Sequence, residues 1–140
     1  MSTALLLAAR ATSALLALLG LNVNTQALIS LPTYLQLFGF SHSPSSSSST
    51  PNPFIPISGG RALSSSLAIL GCAALGLDRA VGVLLIAGSV AAGIDGYVLR
   101  QHVGAGSKEE REEAEKKAYG HWSMGFLCVG MGAWMVRNGA

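Results

Sequence analysis

Charge is scarce in this 140-residue chain: Asp, Glu, Lys and Arg make up 11 % of it, against 50 % apolar residues and 17 glycines. A water-soluble helical domain of this size needs long polar faces to cover its core, and most of the chain has none. Nine of the sixteen charged residues are crowded between Lys108 and Lys117, so the remainder is more apolar still. Lipid is therefore the expected solvent. Only two cysteines occur, Cys72 and Cys128, each inside a separate apolar segment, which excludes a disulfide framework and reads as two packed thiols. The net charge of +2 is not gathered into a Lys/Arg stripe, so nucleic acid is not an expected partner. P-loop and Gly-x-Gly-x-x-Gly signatures are absent, and no cofactor is expected. His42, His102 and His121 do not form a paired helical ligand motif, so neither a metal nor haem is expected.

What is present is a series of apolar segments. Residues 4–21 are rich in Ala and Leu and read as a retained membrane helix rather than a signal peptide, because Arg10 interrupts the apolar run and "MSTA" carries no positive side chain. Pro32 breaks any continuation, and Tyr34, Phe38 and Phe40 suit a short interfacial helix or a packed loop after the first span. Residues 41–56 hold seven serines and four of the five prolines and read as a flexible loop. Further spans follow at residues 57–77, 80–99 and 119–136, with Asp78 and Arg79 marking a tight turn and Trp122 and Trp134 near the ends of the last. Residues 100–118 form a charged connector whose helical part Ser107 and Glu110 could box at its start, with Glu112–Lys116 and Glu113–Lys117 as favourable pairs. The expected fold is all-α, an integral membrane four-helix bundle forming one domain. Lys and Arg are more numerous on the two long connections, which places those in the cytoplasm and both termini outside.

Small residues recur every fourth position and offer close packing: Ala9, Ser13 and Ala17; Ser64, Ala68, Cys72 and Gly76; Gly88, Ala92 and Gly96; Cys128 and Gly132. The topology also puts Arg61, Asp95 and His121 at one membrane level. A carboxylate in apolar surroundings needs a partner, and Arg61 and His121 are the candidates for Asp95. The cluster serves either as an inter-helix tie or as a catalytic site, with His121 moving a proton, Asp95 orienting it and Arg61 binding a substrate oxygen. Met124, Phe126, Cys128 and Tyr97 would line a pocket for a lipophilic molecule arriving from the bilayer.

The stretch "GGRALSSSLAILGCAALGLDRAVGVLLIAGSVAAGIDGYVLRQHVG" with the later "HWSMGFLCVGMGAW" resembles a small four-helix integral membrane family of bacteria and fungi, catalogued as domain of unknown function 4267. The residues that carry the likeness are Arg61, Arg79 with Gly82, Asp95 between Gly93 and Gly96, His121 with Gly125, and Phe38 with Gly39 in "LPTYLQLFGF". The Ser-rich stretch is the main departure. The resemblance implies a multi-pass protein, in an endomembrane if its source is fungal. Fungal relatives occur in specialised-metabolite pathways, and the organisation is similar to that of small membrane anthrone oxygenases. It therefore implies an enzyme or accessory factor acting on a polyketide or terpenoid intermediate, with a pathway enzyme or a second copy as partner. A noncatalytic membrane scaffold or subunit is the alternative.

The four-span arrangement puts residues 47 and 112 on the same side. Single cysteines at Ser47 and Glu112 should label from one face of sealed vesicles, and opposite accessibility would remove the arrangement.

Overall fold

A computed structural model describes residues 3–37, 54–102 and 108–139. They form five helices and no described strand: α1 (Thr3–Ile29), α2 (Leu31–Leu37), α3 (Phe54–Ala74), α4 (Asp78–His102) and α5 (Lys108–Asn138). Most of the Ser/Pro-rich stretch and the Ser107–Glu110 capping box lie outside the described residues. Two helices, α1 and the Asp78–Gln101 part of α4, are long and apolar enough to cross a membrane.

The first helix runs eight residues beyond its expected end. Asn24 and Thr25 do not stop it, because their side chains donate back to the carbonyls of Gly20 and Leu21, both at 2.7 Å. It stops at Ser30, whose hydroxyl is 2.7 Å from that of Thr33, and Pro32 falls in the first turn of α2, where a missing N–H costs nothing. At the other end of the bundle, α3 finishes in a Schellman turn. Gly76, at φ +73°, donates to Ala73 at 3.1 Å, and Leu77 donates to Cys72 at 2.9 Å. Asp78 and Arg79, expected as the turn itself, already belong to α4. The charged connector from Lys108 onward and the last apolar segment are one continuous helix, α5, while Arg100 to His102 of that connector end α4. Lys117 pairs with Glu113 at 3.1 Å as expected, while Glu112 faces Lys108 at 4.0 Å.

The helices associate mainly as two antiparallel pairs, α1 with α3 and α4 with α5, joined through α3 and α4 and touching only lightly between α1 and either α4 or α5. Small residues let each pair close, but not at the expected spacing. Along α4 and α5 they face one another every seventh position: Gly82 with Gly132, Ser89 with Gly125, and Gly96 with Ala118. A Cβ on Gly82 would stand 2.6 Å from the Gly132 carbonyl oxygen, and one on Gly132 equally close to that of Gly82. On α3 half of the expected row is corrected: Ser64 and Ala68 are exposed, and Gly59 and Ser66 are buried against Ala27 and Gly20 of α1, whereas Cys72 does pack on the core and Gly76 meets Arg10. A helix turns 100° per residue, so a two-residue error in phase moves the stripe to the far side. The α1 row of Ala9, Ser13 and Ala17 does face inward.

The two pairs are pinned at the end holding the α3–α4 turn and the last residues of α5. Asp78, with no solvent exposure, accepts from Arg10 through both carboxylate oxygens, Nε to Oδ1 at 2.5 Å and Nη2 to Oδ2 at 2.9 Å. Arg79 Nε donates to the Gly139 carbonyl at 3.1 Å. Just inside lies the apolar core of Val81, Leu85 and Met135, with the Ser13 hydroxyl 3.7 Å from the Met135 sulfur.

Gly82→Leu should overpack the α4–α5 contact and lower stability in detergent by about 1–3 kcal/mol, whereas Ala68→Leu should be nearly neutral. Equal melting of the two variants would overturn this assignment of faces.

Candidate functional site

Beyond that core the pairs separate around a cavity of roughly 470 Å³, lined by all five helices. Its walls are largely apolar, with Leu16 and Val23 of α1, Ile69 of α3, Leu84 and Leu85 of α4, and Met124 of α5. Apart from Ser66, which faces Gly20 farther in, its polar groups sit toward the α2 end: Asn24 of α1, Tyr34 of α2, Ser58 of α3, Asp95 of α4 and His121 of α5. Asp95 lies seventeen residues along α4 from Asp78, roughly 25 Å at 1.5 Å per residue, so the two carboxylates occupy opposite ends of the bundle.

The structure brings Asp95 and His121 together, close enough for their charges to interact. Asp95 also acts on Tyr34, and burial first, then that carboxylate, holds the Tyr34 hydroxyl above its ordinary pKa, so it stays a proton-bearing donor. Arg61 is at the expected level but not on the expected face. Its neighbours Ser58 and Ala62 line the cavity, while its own side chain is exposed and does not. Two of the four expected pocket residues are likewise displaced. Met124 and Cys128 line the cavity, but Phe126 is 79 % exposed and Tyr97 is 59 % exposed. Phe126 is two positions from both Met124 and Cys128, and Tyr97 two from Asp95, which turns each about 200° to the outside.

Local packing sets the rotation of α5 that aims His121 inward. Trp122, the next residue, lies over Gly96, where a Cβ would collide with the indole, and its Nε1 donates to the Gly93 carbonyl at 3.2 Å. Tyr119 meets the ring edge-on at 5.6 Å, and the Arg100 guanidinium stands 5.8 Å from its centroid. Gly96, next to Asp95, thus makes room for the indole, and Gly93 supplies the carbonyl that holds it.

A family model, domain of unknown function DUF4267, matches residues 13–135. The chain belongs to that family. Comparison with curated proteins and with solved structures gives no match. In this DUF4267 protein the matched region contains α2, α3 and α4 whole, together with Asp95, His121 and the other cavity residues named above. Asn24, Tyr34 and Ser58 were not anticipated as site residues. Asn24 had a legible signal, an amide four residues after Gly20 in an apolar helix, whereas nothing local to Tyr34 says that α2 folds back over the cavity. Among the described residues no group of three His, Cys, Asp or Glu side chains suits a metal ion. His42 and the side chain of His102 lie outside the described residues.

Trp122→Phe keeps an aromatic ring there but removes the donor to Gly93 together with the five-membered ring that lies over Gly96. It should lower the melting temperature of the detergent-solubilised protein by an amount corresponding to about 0.5–1.5 kcal/mol. Unchanged melting would mean that the indole N–H does not hold α5 in place.

Proposed function

We propose that this DUF4267 protein is a four-span integral membrane protein that takes a lipophilic small molecule into its cavity and moves a proton on it with Asp95 and His121. The observation that carries the reading is the convergence of these two ionisable groups, beside Tyr34, at the polar end of a largely apolar cavity of roughly 470 Å³. That volume is within the usual range for small-molecule sites. Large apolar side chains point outward on four helices, among them Leu15, Leu67, Val90 and Leu127, and a bilayer is the partner that covers them. α3 and the apolar part of α5 are then the second and fourth spans, beside α1 and α4.

The chemistry follows from the groups present. The His121 ring can accept a proton from an acidic C–H or O–H beside a carbonyl and return it elsewhere on the same molecule, while Asp95 stabilises the imidazolium between the two steps. The Tyr34 hydroxyl is a donor for the oxygen on which negative charge collects. Such an isomerisation needs no oxidant or cofactor. With Arg61 outside the cavity, the Tyr34 hydroxyl takes over the role of binding a substrate oxygen. A polyketide or terpenoid intermediate fits the mixture of apolar wall and polar end; in a fungal source the membrane would be an endomembrane, with another pathway enzyme or a second copy as the partner. The noncatalytic reading draws support from the Arg10–Asp78 pair, a buried ionic contact in the same fold that ties helices together.

The two readings part at conservative variants. In a strain lacking the native gene, Asp95→Asn and His121→Gln should leave abundance and melting unchanged and reduce product by something on the order of 10²-fold, with a precursor accumulating among the extractable lipophilic metabolites. Normal product from both folded variants would sink the catalytic assignment and leave the scaffold.

A further inference from the structure

The short helix α2 bridges the thinnest seam of the bundle. It packs on α1, and it reaches α5 through Lys117, whose Nζ donates to the Gln36 carbonyl at 2.8 Å. That carbonyl lies in the last described turn of α2, so the ammonium meets the negative end of the helix dipole. Glu113, one turn earlier on α5, holds the same ammonium at 3.1 Å. No residue of α2 is fully buried; Leu31, Tyr34 and Leu35 are half-buried, and α1 is the helix it packs on. Beneath it, α1 and α5 touch only lightly, with Ser13 against Met135 toward the far end. At the α2 end the seam is taken up by the cavity, with Asn24 on one side, His121 on the other and Tyr34 supplied by α2.

We infer that α2 is the gate of the cavity, that Lys117 is its latch, and that Tyr34 is a further ligand-contacting residue which closes over the polar head of an amphiphile admitted between α1 and α5. This rests on the reading of the cavity as a ligand site. It narrows the ligand to a molecule with an apolar body and one hydrogen-bonding head, since the apolar wall lies inward of Tyr34, Asp95 and His121. Lys117 acts on the ligand only through α2 and is a positioning residue, whereas Tyr34 meets the ligand directly.

Cys128 lines the cavity and reports its accessibility without any turnover. In a Cys72→Ala background it is the remaining thiol, and N-phenylmaleimide is the probe. The sulfur adds across the maleimide double bond and the thiol proton ends on the adjacent carbon, so no co-reactant is needed. Loss of one charge-assisted contact to α2 should speed the adduct, followed by mass spectrometry on purified protein in detergent, on the order of tenfold in Lys117→Met, and Tyr34→Ala should do at least as much. Lys116→Met, which removes the neighbouring exposed charge, should match the background. Equal rates in all variants would overturn the gate, as would equal acceleration by Lys116→Met. Ungated labelling beside a metabolite defect in Asp95→Asn would overturn this inference and leave the proposed chemistry, whereas gated labelling with normal metabolites would uphold the gate and overturn that chemistry.

Discussion

Asp78 is a carboxylate with no exposed surface at the start of α4, and Arg10 of α1 supplies two donors to it. Burying a charge is tolerable only when it is paired and hydrogen-bonded, so the position of α1 against the α3–α4 turn is not free to drift. The Arg10 side chain retains 32 % exposure while Asp78 retains none, so the pair sits at the surface of the bundle with its carboxylate turned inward. Asp78 also lies in the first turn of its helix, where the dipole favours negative charge. One contact thereby aligns α1 with α4, while Gly76 supplies the turn geometry that delivers the carboxylate.

Much of the remaining architecture follows from pinning two helix pairs at one end. Next to the pin the pairs close on Val81, Leu85 and Met135. Each pair is tight within itself, because glycines and small residues bring the backbones of α4 and α5 within reach of one another and seat Gly59 against Ala27. Between the pairs there is no comparable row of glycines, and the space opens toward the unpinned end. Dispersion falls steeply with separation, so helices held apart by larger side chains leave room that the bundle itself does not fill. The cavity with Asp95 and His121 occupies that room.

The helical nature of the chain, its apolar segments and the axial level of most charged residues could be read from composition and segment length. Level follows from counting residues at a constant rise, which is why Asp95 and His121 were expected together. The same counting puts Arg10 and Asp78 near a common level, yet Asp78 beside Arg79 was read as a turn marker, so the fold's principal ion pair was not anticipated. Facing is harder. Arg61, Ser64, Ala68, Tyr97 and Phe126 were each placed on the wrong side of a helix, because apolar residues surround these segments and leave no polar stripe to fix the rotation.

Sequence by itself determined that the chain is helical: residues with strong helical preference, long apolar segments, and a Gly76 able to take a left-handed turn. Tertiary structure alone decided the rotation of each helix about its axis and the company that each polar side chain keeps. Trp122 over Gly96 turns His121 toward Asp95, and α2 folding across to Lys117 carries Tyr34 to the same place. The reason is geometric: level along a helix is a local quantity set by rise per residue, whereas facing is set by which surfaces interlock, a choice made between segments far apart in the chain.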